Sequence, residues 1–184
     1  MENSLLLYLI ICGVVVILFV WGYNYGVGLR NLVQEAFATM DVYLKKRWDL
    51  VPNLIEVVKN YAQHEKTLLE ELTKLRSGNY NDLSAQQKLD TNVQLGQKLM
   101  RVMAVAENYP DLKANESYML LMKQLSAVEE DIANARKYYN GTVRELNTYL
   151  DMFPTNLIGQ MFGFKKAQMF AISDEQRRTK EMDL

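Results

Sequence analysis

The residues that could carry out chemistry are few in this chain. Cys12 is the only cysteine and His64 the only histidine. A Ser-His-Asp triad, a cysteine-histidine zinc site and an intrachain disulfide therefore lack the groups they need. With no second histidine to join it, His64 fits a hydrogen-bonded surface residue better than a catalyst. The sequence predicts no enzyme, no metal site and no cofactor.

Four charged residues stand where a helical pattern expects apolar side chains. They are Arg47 and Glu65 in the first half of the chain and Glu129 and Arg136 in the second. Charges at such positions are unfavourable unless they are paired. We expect these four residues to form a structural polar network that sets the register between helices. The alternatives are long side chains that reach solvent at the rim and a ligand or metal site, although no specific metal motif is present.

The elements that would position these charges are long helices. Apolar residues recur in steps of three and four from Phe37 to Leu75, and their phase continues through Pro52. This favours one kinked helix over this range, while two helices that meet at Pro52 remain possible. After a turn rich in Ser, Gly and Asn, Ser84 and Gln87 form a capping box for a second helix, which extends to about residue 107. In its middle Gly96 indicates close packing, because glycine is unfavourable there.

A third helix is predicted from the N-cap Asn115 to Phe153, where Pro154 ends it. Its apolar stripe alternates steps of four and three, as in a coiled coil or a helical bundle. Few prolines and glycines interrupt the chain. The fold class that follows is all-α: an N-terminal transmembrane helix followed by an elongated antiparallel bundle of three or four long helices.

Residues 5–21 form an apolar run without a charge, and its extension to Tyr25 reaches the thickness of a hydrocarbon core. The run begins at Leu5, and Trp21, Tyr23 and Tyr25 would lie at one membrane interface. A cleaved signal peptide is the alternative, but no basic residue precedes the run and no small-residue cleavage motif follows it. The expected location is therefore a membrane that the chain crosses once. Basic residues after the run, first among them Arg30, predict an outside N-terminus and a cytoplasmic helical domain.

The segment after Pro154 is amphipathic. Phe162, Phe164 and Phe170 could enter the acyl boundary of a membrane while Lys165 and Lys166 contact head groups. Alternatively, the segment covers one end of the bundle or acts as a clasp between subunits. The predicted organisation is then an anchor (1–25), a helical bundle (26–153), an amphipathic segment (154–170) and a polar tail (171–184). A formal net charge of −1 gives no reason to expect a nucleic-acid partner.

Three stretches and several single positions resemble the LemA family. The stretches are 41–54, 58–65 and 107–116, and the single positions are Glu129, Ile132, Arg136, Tyr139, Asn140, Asn147, Phe153 and Pro154. Trp48 departs from the family, whose members often have a smaller or polar residue there. The resemblance implies a bacterial cytoplasmic-membrane protein with a helical bundle and no established enzymatic activity. A relative in magnetosome-forming bacteria is associated with making intracellular membranes, which suggests that members organise or deform membrane.

Two hypotheses about function follow. In the first, the chain is a membrane-anchored scaffold whose partners are the lipid bilayer and further copies of itself, because confinement to a surface raises the effective concentration of the bundles. In the second, it is a small membrane-tethered adaptor that recruits a cytoplasmic protein partner. Ordered homo-oligomers distinguish the first hypothesis from the second.

Overall fold

The computed structural model describes residues 2–62 and 65–170. These residues contain helices and connections but no strand, so the all-α prediction is confirmed. The helices are α1 (Glu2–Lys59), α2 (Lys66–Leu75), α3 (Ala85–Ala106), α4 (Pro110–Lys113), α5 (Glu116–Asp151) and α6 (Thr155–Met161). A 3-10 turn, Tyr80–Asp82, lies in the connection between α2 and α3.

The first helix, α1, contains the apolar run and continues without a break through both Gly26 and Pro52. Pro52 removes one backbone donor from the helix. The helix tolerates this loss because Val51 and Leu54, on either side of the proline, are buried against the rest of the fold. Among the described residues, α1 is the one helix long and apolar enough to cross a membrane. The predicted boundary between the anchor and the bundle, after residue 25, lies inside this uninterrupted helix.

The prediction of one helical pattern as far as Leu75 is wrong. The first helix ends at Lys59, where the N–H of Tyr61 turns back to the carbonyl of Val58 at 3.0 Å. The second helix, α2, then buries Leu72 on a new axis. Steps of three and four add up to the same sums in one straight helix and in two helices with a short connection, so the periodicity could not reveal this turn.

The helix caps agree with the local sequence signals. Ser84 Oγ accepts a hydrogen bond from the N–H of Gln87 at 3.3 Å, and Gln87 Oε1 accepts one from the N–H of Ser84 at 2.9 Å. Asn115 Oδ1 accepts from the N–H of Tyr118 at 3.0 Å, as expected of an N-cap. The predicted capping box and N-cap are therefore confirmed. The helix that Asn115 begins, α5, ends at Asp151, slightly before the predicted residue 153.

The chain divides into two compact units. Unit 1 comprises residues 1–38 and 137–169. Within it, the first part of α1 and the last part of α5 run antiparallel, since the Tyr25 ring contacts Tyr149 and the Phe37 ring contacts Tyr139. The buried side chains of this unit are Leu29, Val33, Ala36, Tyr139, Thr142, Val143, Leu146, Tyr149 and Ile158.

Unit 2 comprises residues 39–136 and 170–184, of which 63, 64 and 171–184 lie outside the described residues. Its elements are the second part of α1, the helices α2 to α4 and the first part of α5. Side chains of α1 bond to side chains of α3 in the same chain order, so these two helices run parallel. The largest fully buried side chains here are Met40, Leu44, Val51, Val58, Leu72, Asn92, Leu95, Val102 and Leu112.

Candidate functional site

A buried arginine connects three helices of unit 2. Arg47 lies on α1, and its side chain is 5% exposed. Its Nη1 donates to Glu129 Oε1 of α5 at 2.7 Å. Its Nη2 and Nε donate to Asn92 Oδ1 of α3 at 2.9 and 3.2 Å, and Nη2 also donates to the Asn92 carbonyl at 2.6 Å. The planar guanidinium is suited to this task, because one group presents several donors in a fixed geometry.

Asn92 completes this network from inside α3. It is fully buried, and its Nδ2 donates to the carbonyl of Lys88 one turn earlier at 2.9 Å. Gly96 lies one turn later, and a β-carbon there would be 3.4 Å from Arg47 Nη1. The absence of a side chain at Gly96 thus leaves room for the guanidinium against the α3 backbone. The close packing that the sequence indicated at Gly96 is packing against Arg47.

Arg136 lies beside this pair on α5, with its guanidinium 5.6 Å from the ring centre of Phe170. Burial lowers the pKa of Arg136 from its ordinary value, and the Glu129 carboxylate opposes this by favouring the charged form. A cavity of about 220 Å³ lies beside these groups, with Arg47, Glu129, Arg136 and Phe170 among its lining residues. The structure therefore brings Arg47, Glu129 and Arg136 to one place.

Glu65, the fourth residue of the expected network, lies elsewhere. It is half-buried and immediately precedes α2. Within the part of the chain that the structure describes, no ion pair joins Glu65 to Arg47 or to Arg136. His64, its neighbour in the sequence, lies outside the described residues. The prediction that grouped Glu65 with Arg47 assumed one continuous helix, but α1 ends at Lys59, before Glu65.

A second polar cluster, which sequence reasoning missed, joins α1 to α3 near the 3-10 turn. Asp41 accepts from Tyr80 Oη at 2.7 Å and pairs with Lys88 Nζ at 2.6 Å. The Lys88 ammonium lies 4.9 Å from the centre of the Tyr80 ring, and the Trp48 ring is 5.3 Å from it. Burial, followed by the Asp41 carboxylate, raises the pKa of Tyr80 well above its usual range. The available signal was the spacing of Asp41 and Trp48, which lie seven residues apart and therefore on one face of α1.

In unit 1, packing against α1 begins where the apolar run ends. Nearly every side chain from Leu5 to Val20 is exposed, whereas Gly22 and Gly26 are buried. Tyr149 Oη donates to the Gly22 carbonyl at 2.7 Å. A β-carbon at Gly26 would lie 2.9 Å from the Tyr149 ring, so α5 approaches this turn of α1 closely.

The predicted interfacial residues divide between exposed and packed positions. Leu5 and Trp21 are exposed, Tyr25 stacks on Trp21 at 5.8 Å, and Tyr23 is half-buried. The apolar run thus ends at the edge of the folded part of unit 1, where Trp21, Tyr23 and Tyr25 lie. Tyr23 faces the C-terminal segment, whose Phe162 ring lies 4.5 Å away.

The C-terminal segment does not form a single surface. Phe164 is half-buried between Tyr23 and Arg30, with ring and cation distances of 6.0 and 5.5 Å. Lys165 is exposed, and Lys166 pairs with Asp151 at 2.7 Å. Phe170 is buried in unit 2, so it does not share a face with Phe162.

Two side chains of α5 that were not predicted as site residues hold this segment in place. Asn147 bonds to both the N–H and the carbonyl of Ala167, at 3.0 and 2.9 Å. Tyr139 Oη donates to the carbonyl of Gln168 at 2.9 Å. Both residues belong to the positions that carry the family resemblance, which was the available signal. The segment is therefore fastened to α5 through its backbone.

The chemistry of these groups is that of structural contacts. Within 2–62 and 65–170, no three His, Cys, Asp or Glu side chains come together as a metal site would require. The carboxylates of Asp41 and Glu129 are both engaged by cations. The two polar clusters thus connect α1 to α3, and the Arg47 cluster also connects α1 to α5.

Comparison with known proteins places these features in a family context. Residues 36–183 match the model of the LemA family. Magnetosome protein MamQ 2 of Paramagnetospirillum magneticum is 25% identical over an alignment of 176 positions, and the match covers 80% of this chain and 64% of the relative. Magnetosome protein MamQ of Magnetospirillum gryphiswaldense is 22% identical with the same coverage. Protein LemA of Metamycoplasma hominis is 24% identical over 149 residues, which cover 80% of this chain and 68% of the relative. The chain spans a little under two thirds of the length of the MamQ relatives.

Proposed function

Since the chain belongs to the LemA family, we propose that it is a non-enzymatic scaffold, anchored in the bacterial cytoplasmic membrane by α1, that self-associates to organise or remodel that membrane. The name that the MamQ relatives carry, magnetosome protein, agrees with the role in intracellular membranes that the family resemblance implied. The proposed topology has the N-terminus outside and the helical part in the cytoplasm, because the basic residues follow the apolar run.

The observation that carries this proposal is the continuity of the apolar run with the folded part of unit 1. The helix α1 passes from the run into the packed region without a joint, and Tyr149 and Ile158 pack on it from Gly22 onward. A scaffold transmits its geometry to the membrane only through a stiff connection. An adaptor needs no such stiffness, since a flexible tether serves recruitment equally well.

Exposed apolar side chains outside the run supply surfaces for lateral contact. Val42 on α1 and Met119 and Leu120 on α5 are each more than half exposed. Confinement of the anchors to one membrane allows weak contacts of this kind to add up. The Arg47 network supports the same role, because a fixed helix register gives each copy the same surface.

The test compares two flexible insertions of six Gly-Ser residues. The first is placed between Val20 and Trp21, where it separates the span from the folded part of unit 1 and spares the contacts at Gly22. The matched control is placed after Gly78, an exposed turn residue between α2 and α3. Both variants and the unaltered protein are reconstituted with lipid, and particle mass and vesicle shape are measured by light scattering and electron microscopy.

We expect the unaltered protein and the control to form large regular particles and to reshape vesicles. The insertion at the span should bind vesicles equally well without reshaping them. If the unaltered protein forms only uniform particles of one or two copies, self-association is refuted. If the insertion at the span reshapes vesicles as well as the control does, the stiff connection is not the means of remodelling.

One observation favours the adaptor as a second candidate function. An apolar groove of about 590 Å³ lies between the end of α1 and α2, lined by Ile55 and Leu69. Lys59, Lys66 and Lys74 lie at this groove, with Glu70 as its one acidic residue. The charges suit a cytoplasmic protein segment with apolar anchors and acidic flanks. Capture of a defined partner that Leu69→Asp abolishes, together with a small particle mass, would select this function over the scaffold.

A further inference from the structure

We infer that the α5–α6 connection and α6 form a second membrane contact, seated in the head-group boundary of the leaflet from which α1 emerges. Four apolar side chains in or next to this region are exposed. Phe153, Met161, Leu157 and Phe162 are 79, 63, 55 and 48% exposed. In water, a cluster of this kind on a short segment is unfavourable, and such clusters mark interaction surfaces.

The position of α6 along α1 identifies the bilayer as the partner of this surface. A β-carbon at Gly22 would lie 2.6 Å from Ile158 Cδ1, so α6 lies against this turn of α1. The Phe162 ring contacts the rings of Phe19 and Tyr23, one turn apart on α1, at 5.9 and 4.5 Å. These contacts place α6 at the last turn of the apolar run, the level where a spanning helix leaves the hydrocarbon core.

The burial pattern of α6 agrees with this position at the membrane boundary. Ile158 and Gly159 are buried, and a β-carbon at Gly159 would lie 2.7 Å from Leu150 Cδ2, so one face of the helix is filled by protein. Leu157 and Met161 lie on the opposite face and remain exposed. An interfacial helix has this arrangement: one side packs on the protein, and the other exposes apolar groups at the depth of the membrane interface.

The charges of the same unit favour contact with the membrane surface. After the apolar run, unit 1 contains five basic residues (Arg30, Lys137, Arg144, Lys165 and Lys166) and three acidic ones (Glu35, Glu145 and Asp151). Basic side chains close to a membrane surface are attracted by anionic lipid. The exposed apolar surface of α6 is therefore continuous with the span and accompanied by a basic excess.

This surface differs from the one that the sequence suggested. The sequence pointed to Phe164 and Phe170 beside Phe162, but Phe164 is half-buried against Tyr23 and Phe170 is buried in unit 2. Phe153, Leu157 and Met161 take their place. The inference requires that α1 lies in a bilayer but does not require self-association. The membrane contact of α6 and the proposed scaffold function can therefore be refuted separately.

The test places an environment-sensitive fluorophore at single cysteines in the full-length protein, in a Cys12→Ala background. The sites are Leu157→Cys and Met161→Cys on α6. Val15→Cys in the apolar run is the positive control, and Glu35→Cys is the matched exposed control, about 20 Å along α1 from Gly22 at 1.5 Å per residue. The protein is reconstituted into nanodiscs that contain phospholipids with a spin label near the carbonyl end of the acyl chain.

We expect spin-labelled lipid to quench the labels at 157 and 161 several-fold more strongly than the label at 35, and at least as strongly as the label at 15, which lies deeper in the hydrocarbon core than the spin label. Quenching at 157 and 161 as weak as at 35 overturns the inference. A blue-shifted emission at 157 and 161 without quenching by lipid also overturns it, since another protein surface would then cover α6. Nanodiscs with one copy each keep the outcome independent of assembly.

Discussion

Removing the Asn92 partner of Arg47 should destabilise unit 2 more than removing Glu129. Glu129 is 39% exposed, so water can replace it, and Gln at this position can still accept from Nη1. Asn92 is fully buried and accepts three of the four hydrogen bonds that Arg47 donates. Replacement by Leu removes Oδ1 and with it two of the four hydrogen bonds, while the backbone carbonyl of residue 92 and Glu129 still accept from the guanidinium. The opposite change, Arg47→Met, leaves a buried amide oxygen without a donor.

The expected magnitudes follow from burial. Asn92→Leu should cost about 3 kcal/mol of unfolding free energy, since it removes two hydrogen bonds from a buried charged group, and such bonds are worth about 1.5–3 kcal/mol each. Arg47→Met should cost about 2–3 kcal/mol, largely for the unsatisfied Asn92 oxygen. Glu129→Gln should cost about 1 kcal/mol or less, as expected of a partly exposed ion pair. The double variant Arg47→Met/Asn92→Leu removes both partners together and should recover about 2 kcal/mol relative to the sum of the single changes.

The assay is urea denaturation of the full-length protein in detergent, followed by the fluorescence of Trp48 in a Trp21→Phe background. Trp48 follows Arg47 in the sequence and is buried, so its fluorescence reports the unfolding of unit 2. The reasoning is refuted if the two single changes are additive in the double variant, because the two side chains then do not depend on each other. It is equally refuted if Glu129→Gln costs as much as Asn92→Leu.

Two further predictions concern a close approach and a buried phenol. Gly26→Val should destabilise unit 1 by about 1–3 kcal/mol, as overpacking does, because the new side chain would meet the Tyr149 ring. Gly28→Val is the control and should have little effect, since nothing lies within 4 Å of its β-position. Thermal unfolding followed by circular dichroism compares the two variants. Because the pKa of Tyr80 is raised by burial and by Asp41, the folded state keeps the Tyr80 proton above pH ~10, where the unfolded chain loses it. Stability should therefore fall as the pH rises above ~10, and urea denaturation at several pH values should show a slope shallower by up to ~1.4 kcal/mol per pH unit in Tyr80→Phe.

Local signals in the sequence predicted local structure well. The capping box at Ser84 and the N-cap at Asn115 depend on residues three positions apart, so neighbouring residues suffice to specify them. The apolar run and the long helices followed from periodicity in the same way. The turn between Lys59 and Lys66 was missed, because it leaves the spacing of apolar residues unchanged.

Partners across the fold were harder to predict. Arg47 and Glu129 were recognisable as charges on apolar stripes, and they do meet. Asn92, the main partner of Arg47, was not recognised, since a neutral amide in a helix interior attracts little notice beside charged residues. Its role depends on which face of α3 meets α1, and that is decided by packing over a sequence separation of 45 residues. The exposure of Phe153 and the burial of Phe170 likewise depend on the course of the chain after α5.

The division of the chain into units has a consequence for synthesis. Unit 2 is nearly contiguous, whereas unit 1 joins residues 1–38 to residues 137–169. The intervening 39–136 takes roughly 5 to 20 s to translate at 5–20 residues per second. During this time Leu29, Val33 and Ala36 have no α5 to cover them, although the apolar run before them is already available for insertion. The nascent chain thus presents an uncovered apolar stripe next to the membrane, and unit 1 closes only when its last segment has left the ribosome.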